Sequence, residues 1–431
     1  MMRASVEPSE PGGKATAGAE EILRRCDELA QISDEPGGTT RGYLSEAMGR
    51  VNDRVGQWMR RAGLHTEVDG AGNLIGVRRC GRDDAPVLVI GSHLDTVRDA
   101  GAYDGVLGVL LGVAVAEALG STALPFDLEI LGFADEEGLR FGAPFLGSLG
   151  LLGELDHSWL ERRDAVGITV AEAILGRGGD PESLCRAETN RYAGRRVLGF
   201  LEAHIEQGPC LQDRGLPLGI LDAIAAAEWL RCHFLGQCGH AGTLPMDKRR
   251  DPMPGAAEWI LAIERMALAD ADLVATVGQL TPSPGAGNVI PGEVEMSLDL
   301  RHPDAARLTA VRQQLLAEGQ RIAERRGLAF SHDVLNRQGA VRTDQRLREC
   351  LSEAVADAGI SAGPLVTGAG HDAAIMARHM PMAMLMVRSP GGVSHHPDET
   401  VWLEDVADAL TAMVHCVRRL AEVESAQSQA A

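Results

Sequence analysis

The chain has 431 residues, 45% hydrophobic and 24% charged, which are ordinary globular values and exclude a disordered or fibrous protein. Lys and Arg total 41 against 61 Asp and Glu, a net charge of −20, so phosphate backbones and anionic lipid are repelled and neither nucleic acid nor membrane is expected as a partner. The aromatics, 5 Trp, 3 Tyr and 7 Phe, are too few for a base-stacking platform, and the core must be aliphatic.

The ends, up to about residue 18 and from Ser425 to Ala431, are small and polar and are expected to fray. Apolar residues at helical spacing (Met48, Val51, Val55, Trp58, Met59) predict a helix from Tyr43 to Leu64, closed by Gly63. Strands are expected at His65–Asp69 and Asn73–Arg78, then at Pro86–Gly91, whose unbroken apolar run suits a strand buried on both faces. A helix over Asp104–Leu119 and a second apolar strand, Phe126–Phe133, complete a βαβ unit and imply a parallel sheet. The middle of the chain changes rhythm. Partial alternation predicts strands at Pro217–Ala223, Trp229–Leu235, Leu273–Leu280 and Glu293–Arg301, interrupted by helices near Pro254–Ala267 and Asp304–Arg325. The α/β rhythm then resumes, with a helix at Asp344–Ala358, a strand at Met382–Val387 and a helix at Glu404–Glu422.

The expected fold is therefore α/β: a split domain, 19–213 and 334–424, with a mostly parallel sheet flanked by helices, and an inserted α+β domain at 214–333. The eight cysteines include no C-x-x-C pair and read as thiols of a reducing compartment. No apolar signal core is visible between Met1 and Glu20, and the longest apolar stretch, Val106–Ala116, is too short to span a bilayer. A cytoplasmic protein is the expectation.

Five clusters of His, Asp and Glu fall at predicted strand ends or in the loops after them, where α/β folds place their sites. They are Gly91-Ser-His-Leu-Asp-Thr-Val97, Tyr103-Asp-Gly105, Ala134-Asp-Glu-Glu-Gly138, Glu202-Ala-His-Ile-Glu-Gln-Gly208 and Gly391-Gly-Val-Ser-His-His-Pro-Asp-Glu399. An imidazole can bind a metal through one nitrogen while a carboxylate two residues on fixes the other. Adjacent acids point different ways, so one can bind metal while its neighbour moves protons. Taken singly, each cluster is more often a hydrogen-bonded pair, a solvated face or a turn. Together they contain enough His and carboxylate for two divalent ions bridged by a carboxylate. No phosphate-cradling Gly-rich loop occurs.

The motifs GSHLDTV, YDG, DEEG-x-RFG, HIEQGP, GHAG-x-x-PM-x-x-RRD, NVIPG, DLRH, GAGHDA and SH-x-P-x-E stand in this order between about residues 20 and 420. They resemble the M20 metallohydrolases, in particular the branch of N-carbamoyl-L-amino acid hydrolases, β-ureidopropionases and allantoate amidohydrolases. The HIEQG motif, with His204, separates that branch from M20 peptidases, which usually place an acidic ligand there. The resemblance implies one metal held by His93 and His204 and another by Glu137 and His395, bridged by Asp104. It makes Asp95 the residue that orients His93, and Glu136 the general base. The ions would be Zn2+ or Mn2+, with Co2+ or Ni2+ as alternatives. The inserted segment matches the family's dimerisation or lid domain and so implies a homodimer. His240, Asn288 and Arg301 from that domain, with Gln207 from the larger one, match substrate contacts. His240 would reach the partner subunit's site.

The function implied is metal-dependent hydrolysis of the ureido C–N bond of a small carboxylate, releasing CO2 and ammonia. Within the branch, Phe141-Gly-Ala-Pro-Phe-Leu-Gly-Ser148 looks more like an allantoate amidohydrolase than a carbamoylase, with an N-carbamoyl-L-amino acid hydrolase or β-ureidopropionase as the alternative function. An M20 di- or aminopeptidase and a catalytically dead binding protein are the alternatives. His204, Gln207 and Arg301 argue against the first, and the intact ligand set against the second. His396 sits at the variable position of its motif, and His371 is left without a role.

Overall fold

The computed structural model describes residues 11–430, with side chains from 15 to 427. It divides into two compact units. In chain order the first unit runs α1 (Pro11–Ala30), α2 (Glu46–Arg61), β1 (His65–Val68), β2 (Leu74–Arg78), β3 (Val87–His93), α3 (Val106–Leu119), β4 (Asp127–Phe133), α4 (Leu146–Leu151), β5 (Val197–Ile205) and β6 (Leu218–Ile224). The second unit follows with β7 (Ala226–Leu235), β8 (Gly239–His240), α5 (Pro252–Leu268), β9 (Val274–Thr276), β10 (Leu280–Ser283), β11 (Val289–Ile290), β12 (Glu293–His302), α6 (Ala305–Arg326), β13 (Ala329–Gln338) and β14 (Val341–Arg342). The chain then returns to the first unit with α7 (Gln345–Asp357), β15 (Ala362–Thr367), α8 (Asp372–Met376), β16 (Met382–Val387) and α9 (Leu403–Ala430).

The first unit is built on a sheet of order β1-β2-β4-β3-β5-β16-β6, with β15 also paired to β6. Strands β4, β3, β5 and β16 are parallel, whereas β1, β2 and β6 join antiparallel. The expectation of a mostly parallel sheet is thus corrected to a mixed one, parallel at its centre and antiparallel on both flanks. Every residue of β3, β4 and β16 is buried, as the apolar runs require of central strands. One face carries Leu88, Ile90, Leu128, Ile130, Leu201 and Leu385 into a core shared with α1, α3, α7 and α9. Alternate residues, among them Phe133 and Phe200 with ring centroids 6.0 Å apart, are buried on the opposite face. Helix α3 is apolar all round and almost wholly buried, as a helix enclosed on every side must be.

The second unit is an antiparallel sheet of order β10-β12-β7-β13, with β9 beside β10 on the same edge of β12. Leu230, Phe234, Met296 and Leu300 point from it into a core with Trp259, Ile263, Leu315 and Ile322 of α5 and α6. Strands β8 and β11 form a separate two-stranded ribbon.

The second unit comprises Ala223–Arg342 and Val366–Gly370, against the expected 214–333. The difference arises because β6 runs unbroken to Ile224 and β13 continues past residue 333 to Gln338. Three further expectations are corrected. Helix α1 already begins at Pro11, and the expected frayed residues before it lie outside those described. The Ala- and Gln-rich tail remains helical to Ala430, Ala being the strongest helix former. The single strand expected at Leu273–Leu280 is two, β9 and β10, separated around Gly278. Among the described residues no helix is long and apolar enough to cross a membrane.

Candidate active site

The central strands deliver their polar residues at one edge of the first unit's sheet. His93 ends β3, His204 is the penultimate residue of β5, Glu136 and Glu137 follow β4, and His395 lies in the segment after β16. These strands are parallel, so their C-terminal ends share one edge. Asp104 stands just before α3. The next residue, Gly105, takes φ 67°, and a Cβ there would lie 2.4 Å from three atoms of the His93 ring. Only glycine lets the chain turn this close to the imidazole.

Main-chain carbonyls orient two of the imidazoles. His93 Nδ1 lies 3.1 Å from the Asp95 carbonyl oxygen and His204 Nδ1 lies 2.9 Å from that of Ile205. A ring nitrogen facing a carbonyl carries a proton, so on each ring Nε2 is the atom whose lone pair a cation can take once a cation replaces its proton. Those two atoms are 3.5 Å apart. Asp104 Oδ1 lies 3.5 Å from the first and 3.2 Å from the second. The other oxygen, Oδ2, is 3.2 Å from His395 Nε2, which is 3.3 Å from Glu137 Oε1. Gln207 Nε2 donates to the same Oδ2 at 2.9 Å. One carboxylate therefore turns one oxygen to each of two donor groups.

The buried acids and imidazoles shift one another strongly. Burial alone would raise Asp104, but hydrogen bonds from His204, His395 and His93 carry it well below the usual carboxylate range. Burial would lower His93, and Asp104 and Asp95 reverse this and hold it high. Burial pushes Glu136 well above its ordinary value; His93 opposes the rise, and Glu137, Asp372 and Asp95 add to it. Burial also raises Asp135 and Asp372. Lone pairs on His93, His204 and Asp104 converge, as do those on Asp104, Glu137 and His395, with the ligand atoms of each group within 4.8 Å of one another. At Zn–N distances of 2.0–2.1 Å, two tetrahedral His ligands of one ion stand about 3.3 Å apart, close to the separation of the two Nε2 atoms. The donor set fits two divalent cations sharing Asp104.

Asp95 serves more than His93. Its Oδ1 lies 3.5 Å from His93 Nδ1, while its two oxygens accept the backbone N–H groups of Glu136 and Glu137 at 3.0 and 3.1 Å. One carboxylate thus fixes the acid pair beside the imidazole. Gln207 and His395 hold φ 60° and 55°, left-handed conformations that non-glycine residues keep only when their surroundings impose them.

Sequence motifs give no role to Asn73 or Arg41, which the structure places behind the site. Asn73 is fully buried; its Oδ1 accepts the Ala134 N–H at 3.1 Å and its Nδ2 donates to the Gly147 carbonyl at 2.9 Å, anchoring the start of the acid loop. Arg41, also buried, donates through Nε to the Leu94 carbonyl at 2.9 Å, between His93 and Asp95. The Asp69-Gly-Ala-Gly-Asn73 turn was the only sequence signal for Asn73, and nothing local marks Arg41.

His371 is buried with its ring edge-on to His204, centroids 4.5 Å apart. Asp372, the first residue of α8, accepts the Ser148 hydroxyl at 2.6 Å. His396 is exposed and accepts the Asp398 N–H in a turn. In the second unit, the ribbon pairs His240 with Val289, and the Ala241 N–H donates to the Asn288 carbonyl, so His240 and Asn288 are neighbours. Arg301 stands apart from them on β12. Its Nε and Nη2 donate to the two oxygens of Asp299 at 3.0 and 2.7 Å, its Nη1 donates to the Gly368 carbonyl, and its guanidinium lies over Trp229.

The model of peptidase family M20/M25/M40 matches residues 89–419. The chain is 38% identical over 408 residues to an N-carbamoyl-L-amino acid amidohydrolase of Geobacillus stearothermophilus, covering 94% of this chain and 99% of that protein. It is 36% identical over 430 residues to an allantoate deiminase of Arabidopsis thaliana, covering 92% and 81%. A solved amidase of the hydantoinase/carbamoylase family from Burkholderia multivorans superposes with a TM-score of 0.85 at 30% identity, covering 94% of this chain and 98% of that one.

Proposed function

This chain belongs to peptidase family M20/M25/M40 and is a hydrolase of carbon–nitrogen bonds, and from that premise we propose that it cleaves the ureido C–N bond of a small carboxylate with two divalent cations. Allantoate is the first substrate choice and an N-carbamoyl-L-amino acid the second, in keeping with the relatives named above, and N-carbamoyl-β-alanine is a further alternative. The observation that carries the reading is Asp104, buried and turned with one oxygen to His93 and His204 and the other to His395.

His93, His204 and Asp104 would hold one ion, and Glu137, His395 and Asp104 the other. Zn2+ or Mn2+ is the first choice, with Co2+ or Ni2+ as alternatives. When bound, the pair supplies a lowered water pKa and a polarised carbonyl. Glu136, held by the grip of Asp95 on its N–H, takes a proton from the attacking water and returns it to the departing nitrogen. Ureido nitrogens donate into the carbonyl from both sides, so the tetrahedral oxyanion needs additional donors, and His240 and Asn288 supply them. Arg301 would grip the substrate carboxylate through parallel hydrogen bonds that Lys cannot form, exchanging its fork on Asp299 for the substrate, and Gln207 would contact substrate beside Asp104. The released carbamate breaks down to CO2 and ammonia. The second unit would act as lid and dimerisation domain of a homodimer, with His240 serving the partner subunit's site. The eight free thiols support a reducing, cytoplasmic compartment.

The test is ammonia release from metal-loaded protein given allantoate, N-carbamoyl-L-amino acids, N-carbamoyl-β-alanine and dipeptides in parallel. Release from at least one ureido compound supports the proposal. Dipeptide cleavage without ureido cleavage replaces it with a peptidase, and no turnover of any substrate leaves a binding protein.

A further inference from the structure

Glu399 closes the fifth sequence cluster and has no part in the mechanism above. It is 5% exposed. Its Oε1 accepts the backbone N–H groups of Tyr103 and Asp104 at 3.1 and 3.0 Å, and its Oε2 accepts the Ser394 hydroxyl at 3.0 Å. The Ser394 Oγ is also 3.4 Å from Asp104 Oδ2. The carboxylate is seated against Gly101, where an added Cβ would lie 2.4 Å from Glu399 Cβ and 2.5 Å from its Oε1. One buried side chain therefore fastens the main chain that presents Asp104 to the segment that presents His395.

That fastening matters more for His395 than for the other imidazoles. His93 and His204 are buried at strand ends and tied to main-chain carbonyls. The His395 side chain is 49% exposed, sits outside any strand or helix, and holds a left-handed backbone conformation. A conformation of that kind persists only where neighbouring contacts impose it, and Glu399 supplies such a contact one residue away, through Ser394.

We propose that Glu399 is a positioning residue that sets the register between Asp104 and His395, and so controls occupancy of the ion position formed by Asp104, Glu137 and His395 while leaving the position at His93 and His204 largely unaffected. This rests on the two-cation reading above. Its contribution lies in accepting hydrogen bonds rather than in carrying charge. In Glu399→Gln the amide oxygen can still accept both N–H groups, and the new NH2 can donate to Ser394 Oγ.

The experiment is a calorimetric titration of metal-free protein with Zn2+ in a competing chelator, for wild type, Glu399→Ala, Glu399→Gln and Ser394→Ala, each with a thermal melt. Wild type should bind two ions per chain. Glu399→Ala should bind one with wild-type affinity and the second at least about tenfold more weakly, the scale on which residues supporting a ligand act. Glu399→Gln should restore the second ion to within about threefold of wild type. Ser394→Ala, which removes one of three donors and spares the buried carboxylate, should weaken only the second ion and covers the case in which Glu399→Ala does not fold. Equal weakening of both ions, unchanged affinities in Glu399→Ala and Ser394→Ala, or loss of the second ion in Glu399→Gln would each overturn the proposal. Failure of wild type to bind a pair would overturn the two-cation reading itself, and the inference with it.

Discussion

Replacing Gly105 with Ala strikes the centre of the proposed site without touching a ligand. Gly105 has φ 67° and ψ −51°, a conformation that costs an L-residue about 1–3 kcal/mol. The new methyl would lie 2.4 Å from Cδ2, Cε1 and Nε2 of His93, where ordinary contact begins at 3.4 Å, so ring or turn must shift by about 1 Å (3.4 − 2.4). A shift of that size takes Nε2 out of its place 3.5 Å from His204 Nε2. Loss of a residue that merely supports a ligand weakens metal binding by about 10- to 100-fold. Here the ligand itself moves, so the upper end applies, about 2.7 kcal/mol. Equilibrium dialysis against Zn2+ with a competing chelator, alongside ammonia release, reads the effect. The account predicts one ion bound about a hundredfold more weakly and turnover lowered at fixed free Zn2+, with the circular dichroism of the folded protein retained. Two ions held at wild-type affinity would refute the argument that Gly105 gives His93 its place.

Glu136→Gln should keep both ions and lower turnover at least about a hundredfold, read as metal content beside ammonia release; unchanged turnover would remove Glu136 from the reaction. Arg301→Lys keeps the charge and loses the planar fork, so KM for a carboxylated ureido substrate should rise about tenfold with kcat less affected; a carboxylate-free analogue should show no such change. Glu129 is buried between Arg191 and Arg195. Burial alone would raise its carboxyl, but the two guanidiniums carry it below its ordinary value of 4.5. A folded value below the unfolded one gives stabilisation that is complete above pH 4.5 and is lost as the pH falls through the folded value. Glu129→Gln should therefore be less stable at neutral pH, by up to about 3–5 kcal/mol where both guanidiniums lose their partner, and the gap in melting temperature to wild type should narrow in acid. A gap that does not narrow would contradict the assignment.

The central strands and α3 were legible because burial on all sides leaves an unbroken apolar run, as in Pro86–Gly91 and Val106–Ala116. Strand β13 was not, because Ala329–Gln338 is an exposed edge strand paired only with β7 and carries no burial pattern. Its omission displaced the expected boundary of the inserted segment. The flanks of the large sheet escaped for a related reason. The apolar runs fix which strands are central and say nothing about the direction of the strands beside them. Strand β5 was marked by its His and Glu rather than by periodicity, since Glu202 and His204 interrupt the apolar run although both are buried. Within the site, His93, Asp104, Glu137, His204 and His395 could be nominated from local motifs. The contacts that hold them could not, because Arg41 with Leu94, Asn73 with Ala134 and Glu399 with Tyr103 join residues far apart in sequence.

The most direct test is anomalous diffraction at the absorption edge of Mn2+ or Zn2+ from crystals grown with that ion. The account predicts two peaks per chain, one against His93 and His204 and the other against Glu137 and His395, with Asp104 in contact with both. A single peak, or peaks away from Asp104, would contradict it.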